Sequence, residues 1–168
     1  MIADICAEYV IVGHSERRTI FGENEKIIAS KMIAAYRNGL KPLLCVGENL
    51  EEREAGKTAR KINMQLKSAL RVVAPEDAEN LVVAYEPLWA IGSGKAATPS
   101  DAQEVCRLIR EKIGKLFTPD VARKVRILYG GSVNENNAAS FNISGIDGVL
   151  VGGASLKADS FATIVRSF

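Results

Sequence analysis
Five short apolar runs alternate with longer amphipathic stretches along this chain, and each run is cut off by glycine or glutamate. The runs are Tyr9 to Val12, ended by Gly13; Leu40 to Val46, ended by Gly47; Leu81 to Tyr85, ended by Glu86 and Pro87; Val125 to Tyr129, ended by Gly130; and Val149 to Val151, ended by Gly152. All are rich in Val, Ile, Leu or Tyr, the pattern of strands buried on both faces. Between them lie helical segments. Asn24 to Asn38 places Ile27, Ile28, Met32 and Ala35 near one face, and Gly39 follows as a terminator. Lys57 to Val73 carries Ile62, Leu66, Ala69, Leu70 and Val73 at helical spacing. Pro99 to Phe117 opens on Thr98, Pro99 and an acidic turn, then sets Val105, Leu108, Ile109, Ile113 and Leu116 on one stripe. Asn134 to Phe141 and Leu156 to Val165 read as shorter helices.

Strand alternating with helix means repeated βαβ units on a parallel sheet, an α/β fold. With no linker and no low-complexity stretch, 168 residues fit one domain with a real core. Apolar residues make up 47% and charged residues 25%, an ordinary globular balance. A net charge of +2 argues against nucleic acid or an anionic membrane surface as a partner, and no apolar run reaches the length of a membrane span. The opening MIADICAEYV lacks a basic region and a cleavage signature, so no signal peptide is expected. Cys6, Cys45 and Cys106 are odd in number and lack metal-ligand spacing; reduced thiols in a cytoplasmic protein are the expectation, with no metal and no cofactor.

Folds of this kind carry their chemistry on loops at the carboxyl ends of the strands. After the first run comes Gly13-His14-Ser15-Glu16-Arg17-Arg18. His14 is the one histidine. One reading makes it a partly buried ring satisfying a backbone group; the other makes it a neutral imidazole at a helix's positive end, donating to a substrate carbonyl. After the third run comes Glu86-Pro87-Leu88-Trp89-Ala90-Ile91-Gly92-Ser93-Gly94-Lys95. Glu86 reads either as a general base under a glycine-hinged lid or as a solvent-exposed carboxylate beside a turn. Gly130-Gly131-Ser132 and Gly152-Gly153-Ala154-Ser155 follow the last two runs. Singly, each is a tight turn that needs glycine; together they suit a phosphate, whose oxygens approach backbone N–H groups closely. Glu51-Glu52-Arg53-Glu54 reads as a solvated helix face, and Cys45 as a packing residue, since no second histidine is available to activate it.

Taken in order, YVIVGHSERR (9–18), LCVGE (44–48), AYEPLWAIGSGK (84–95), YGGSV (129–133) and DGVLVGGASL (147–156) resemble the triosephosphate isomerase family. The resemblance covers essentially the whole chain. It implies a (β/α) barrel in which His14 is the electrophile, Glu86 the proton-shuttling base and Glu16 a supporting carboxylate. It further implies a phosphate held by Gly92, Ser132, Gly152 and Gly153, and interconversion of dihydroxyacetone phosphate and glyceraldehyde 3-phosphate without metal or organic cofactor. Against the family's eight strand–helix units this chain supplies five, about the fourth to the eighth, as a partial TIM barrel. The family's Asn-x-Lys after the first strand, whose lysine sits beside substrate, has no counterpart here. Five strands leave two open edges, which predicts a homo-oligomer that completes or covers them. Deleting one preorganised electrostatic group typically lowers rate by about 10²–10³, so little or no isomerase activity is expected of this chain alone. The alternative from a different class is a non-catalytic oligomeric (βα)₅ protein that at most binds triose phosphate or inorganic phosphate weakly.

Overall fold
The computed structural model describes residues 1–91 and 97–168. Five parallel strands form one sheet in sequential order: β1 (Tyr9–Val12), β2 (Lys41–Val46), β3 (Val82–Tyr85), β4 (Arg126–Tyr129) and β5 (Gly148–Val149). In register, Val12 lies opposite Leu44, Val46 opposite Tyr85, Tyr85 opposite Tyr129, and Tyr129 opposite Val149. All carboxyl ends therefore share one edge of a parallel sheet, as the alternation predicts and as the partial barrel implied by the resemblance requires. The apolar strand residues Val12, Leu44, Val46, Val83, Tyr85, Ile127 and Tyr129 join the helices in one core.

The helices are α1 (Ser15–Ile20), α2 (Glu25–Arg37), α3 (Leu50–Glu54), α4 (Thr58–Leu70), α5 (Pro99–Leu116), α6 (Pro119–Lys124) and α7 (Ala158–Val165). Asn24 caps α2 by accepting from the N–H groups of Lys26 and Ile27, each at 3.1 Å. The helix ends on Gly39 at φ +69°, with Gly39 N–H on Tyr36 O and Leu40 N–H on Ala35 O, a Schellman arrangement. Helix α5 begins with the Thr98/Asp101 capping box and Pro99 in its first turn. Thr118 caps α6 by accepting from Val121 N–H at 3.2 Å, with Pro119 in the first turn, a signal the apolar periodicity passes over in so short a helix. Between 134 and 141 the expected helix shrinks to a 3₁₀ turn at Ala138–Phe141. Asn134 accepts from Asn136 N–H at 2.9 Å and Asn137 accepts from Asn134 N–H at 2.8 Å, and such local bonds outcompete helical ones. Similarly, Gly153–Leu156 is a 3₁₀ turn, and α7 starts only at Ala158.

Among the described residues, β1 pairs only with β2 and β5 only with β4, so the sheet is open. Burial follows that geometry. All four residues of the central β3 are buried, whereas Tyr9 and Ile11 of β1 are 39% and 46% exposed. The sheet nonetheless curls strongly. Arg126, the first residue of β4, donates to the Tyr9 hydroxyl of β1 at 2.6 Å, although two strands lie between them. Lys41 of β2 also sits over the Tyr9 ring.

Candidate active site
Two side chains meet where β1 and β3 end. His14 caps α1: its Nδ1 accepts from Glu16 N–H at 3.4 Å. An accepting Nδ1 leaves the ring proton on Nε2, which points at Glu86 Oε1 at 3.0 Å. His14 is thus the cap. Ser15 lies one residue inside the helix, buried, with its N–H on Glu86 Oε2 at 2.9 Å and its hydroxyl 3.5 Å from Oε1.

Glu86 is 2% exposed, which removes the reading of it as a solvated turn residue. Burial pushes its carboxyl above the ordinary carboxylate range, while His14, the Ser15 N–H, the Cys45 thiol and Arg18 pull the other way. A desolvated carboxylate facing an imidazole N–H is a pair able to move a proton at carbon and to polarise a carbonyl. Cys45 is buried beneath Glu86, and burial raises its thiol, so it packs as an un-ionised group. Arg18 ties the ends of β1 and β2 together, donating to Gly13 O at 2.6 Å and Cys45 O at 3.2 Å.

Glu16 contributes its backbone N–H to His14, but its side chain is exposed. Ser132 is exposed after β4, its hydroxyl donating to Ala90 O at 3.1 Å and so linking its loop to the one that follows Glu86. Gly152 and Gly153 are exposed after β5, with open space above both α-carbons. Ser132 and this glycine pair therefore leave neighbouring strands at the edge that carries His14 and Glu86. Gly92, the remaining expected phosphate contact, lies outside the described residues. Among the described residues, no three His, Cys, Asp or Glu side chains gather as metal ligands, and no helix is long and apolar enough to cross a membrane.

Sequence reasoning passes over Glu48 as a site residue. It is fully buried after β2, and its Oε1 accepts from Tyr85 Oη and Trp89 Nε1, both at 3.0 Å, with Arg53 at 3.7 Å. Burial raises its carboxyl, opposed by its own backbone N–H, Trp89, Tyr85 and Arg53. Leu88 N–H also donates to Glu48 O at 3.0 Å. Glu48 thus anchors the loop that follows Glu86. The one available signal is a charged residue placed directly after an apolar strand and a glycine.

With this geometry in hand, the relatives become informative. The family model for triosephosphate isomerase matches residues 1–168. The chain is 55% identical over 167 residues to a triosephosphate isomerase of Carboxydothermus hydrogenoformans and 53% identical to one of Acetivibrio thermocellus; each match takes in 99% of this chain and 66% of the relative. A Streptomyces coelicolor triosephosphate isomerase is 50% identical over 99% of this chain and 65% of its own length. The chain spans just under two-thirds of the length of these relatives, and it belongs to the triosephosphate isomerase family.

Proposed function
We propose that this chain carries the acid–base part of a triosephosphate isomerase site, corresponding to about the fourth to eighth strand–helix units of the family. The observation that carries the reading is the 3.0 Å contact between His14 Nε2 and Glu86 Oε1 in a setting where the carboxylate is buried. In the chemistry established for the family, a carboxylate base works with a neutral histidine. Applied here, the Glu86 carboxylate removes the proton from the carbon beside the carbonyl. The His14 Nε2–H gives its proton to the former carbonyl oxygen as negative charge builds there, Nε2 takes back the proton of the neighbouring hydroxyl, and Glu86 returns its proton to the carbon that had carried the carbonyl. Ser132, Gly152, Gly153 and Gly92 hold the phosphate, and the Glu16 backbone N–H keeps the ring proton of His14 on Nε2. The substrate pair is dihydroxyacetone phosphate and glyceraldehyde 3-phosphate, which fits a cytoplasmic protein with free thiols.

The chain alone is proposed to turn over little. An open sheet leaves His14 33% exposed on its side chain, and water there weakens every electrostatic contact. The exposed β1 edge borders a groove of about 510 Å³ lined by Ile2, Val10, Ile11, Val12, Ala34 and Leu40. Exposed strand edges and apolar grooves associate, so the proposed state in solution is a homo-oligomer.

A coupled isomerase assay tests the function, on the chain alone and after adding a polypeptide equivalent to the unmatched third of a relative. Rescue that is lost in Glu86→Gln supports the proposal. Turnover by the chain alone at the level of a complete relative contradicts the inactive-alone reading; no rescue from a mixture shown to co-purify contradicts the assignment of the site. Light scattering tests the assembly, and a compact, stable monomer rejects it.

A further inference from the structure
Helix α4 buries Ile62, Leu66, Ala69 and Leu70 against the sheet, and among them sits one polar side chain, Gln65, only 2% exposed. A buried amide destabilises a fold unless its groups are paired. Both ends of this one are spent on a single residue: Gln65 Oε1 accepts from Gly47 N–H at 2.9 Å, and Gln65 Nε2 donates to Gly47 O at 3.1 Å.

The reason lies in the ladder. Residues of a strand alternate the side toward which their backbone groups point. Val46 O accepts from Glu86 N–H at 2.8 Å and Glu48 O from Leu88 N–H at 3.0 Å, so 46 and 48 face the β3 side. Gly47 faces the other way, toward β1. There the register ends at Val12 opposite Leu44, and the chain turns off into His14 and α1. Gln65 stands in for the missing strand. Gly47 in turn touches the base: a Cβ on it would lie 1.7 Å from the Glu86 carbonyl oxygen. Whatever holds Gly47 therefore holds the Glu86 backbone on one side and the Glu48–Trp89 pair on the other.

We propose that Gln65 is a positioning residue, whose amide clamp on Gly47 sets the placement of the Glu86 carboxylate against His14. The importance of that placement for turnover rests on the function proposed above; the placement itself does not. The sole histidine and sole tryptophan make it readable without turnover. The groups facing Glu86 are His14, Arg18, the Cys45 thiol and the Ser15 N–H and hydroxyl. NMR of the ¹⁵N-labelled His14 ring and ¹³C-labelled Glu86 carboxyl across pH follows the pair, and Trp89 emission follows the Glu48 side.

Gln65→Met keeps length and removes both bonds. The expected result is a His14 ring signal that loses the step accompanying protonation of Glu86, as in Glu86→Gln. Gln65→Glu places a carboxylate against Gly47 O and should match Gln65→Met while ionised. On protonation its O–H donates to Gly47 O and its C=O accepts from Gly47 N–H, and the parental His14 and Trp89 signals should return. Leu66→Ala, a core truncation on the same helix, should lower stability and leave both signals parental. Should Gln65→Met not fold, Gln65→Glu decides through the difference between its ionised and protonated ends, each compared with the parent at the same pH. A parental Glu86 titration in both Gln65 variants, read at its carboxyl and at the His14 ring, with only stability reduced, overturns the proposal. That outcome leaves the assay of the isomerase reading untouched, and failure of that assay leaves this test standing.

Discussion

A methyl group added at Gly47 would lie 1.7 Å from the Glu86 carbonyl oxygen, 2.7 Å from its carbon and 3.0 Å from Leu88 Cδ1. The leucine methyl can rotate aside. The carbonyl cannot, because Glu86 N–H is bonded to Val46 O at 2.8 Å and the preceding Tyr85 O accepts from Gly130 N–H at 2.8 Å. Ordinary contact would require β2 and β3 to part locally by roughly 1.5 Å or more, in an interior packed as densely as a crystal. Overpacking of this kind typically destabilises by about 1–3 kcal/mol, and an immovable backbone neighbour puts Gly47→Ala at about the upper figure. For a chain of this size each kcal/mol lowers the melting midpoint by about 2–4 °C, so a drop of about 6–12 °C is expected. The same substitution at Gly114, inside α5, meets only Ala122 Cβ at 3.5 Å and Pro119 Cα at 3.9 Å. There the gain in helix propensity should leave the protein unchanged or more stable by up to about 1 kcal/mol. Thermal melts followed by circular dichroism, with Trp89 emission as the local probe, compare the two. If Gly47→Ala melts with the parent and its Trp89 emission is unaltered, the reasoning about how Glu86 is held is wrong.

Other consequences follow from charge. Burial raises the Glu86 carboxyl, so its proton is held more tightly in the folded state than in the unfolded one. The destabilisation this causes is present above the folded value and disappears as pH falls below the unfolded value. Glu86→Gln should therefore raise the melting midpoint at about pH 8, with the gap closing toward about pH 4; a gap that widens in acid refutes this. Glu23 behaves in the opposite sense: burial pushes its carboxyl up, but Lys31 and Arg17, the latter at 2.6 Å, outweigh it and leave it lowered. Its stabilisation is present above the unfolded carboxylate range and lost as pH falls through the folded value. Because both cations are more than a third exposed, the effect is discounted for solvent screening. Glu23→Gln should cost about 1–2 kcal/mol at neutral pH and nothing in strong acid, which denaturant titrations at two pH values will show. Tyr9→Phe removes the bond from Arg126 and keeps the ring; a loss of about 1 kcal/mol is expected, and an undiminished denaturation midpoint would mean that this clasp does not hold the sheet's curl.

Much of this protein was legible from one dimension because its signals are short-ranged. Strand residues such as Val82 to Tyr85 announce themselves as unbroken apolar runs, α4 by the spacing of Ile62, Leu66 and Ala69, and α5 by Thr98-Pro99. These patterns reflect backbone geometry that repeats within a few residues. The order of the motifs likewise pointed to the family, and strand-end position singled out His14 and Glu86 as candidates. What the chain order could not reveal is which distant groups share an oxygen or a void. Ser15 meets Glu86 across 71 positions, Trp89 meets Glu48 across 41, and Tyr9 meets Arg126 across 117. Gln65 looks like any polar residue on an amphipathic helix until β1 is seen to leave the sheet before reaching Gly47. Those contacts depend on the sequence of strands in the sheet and on its curvature, which emerge only when the whole chain packs; local periodicity carries no record of either.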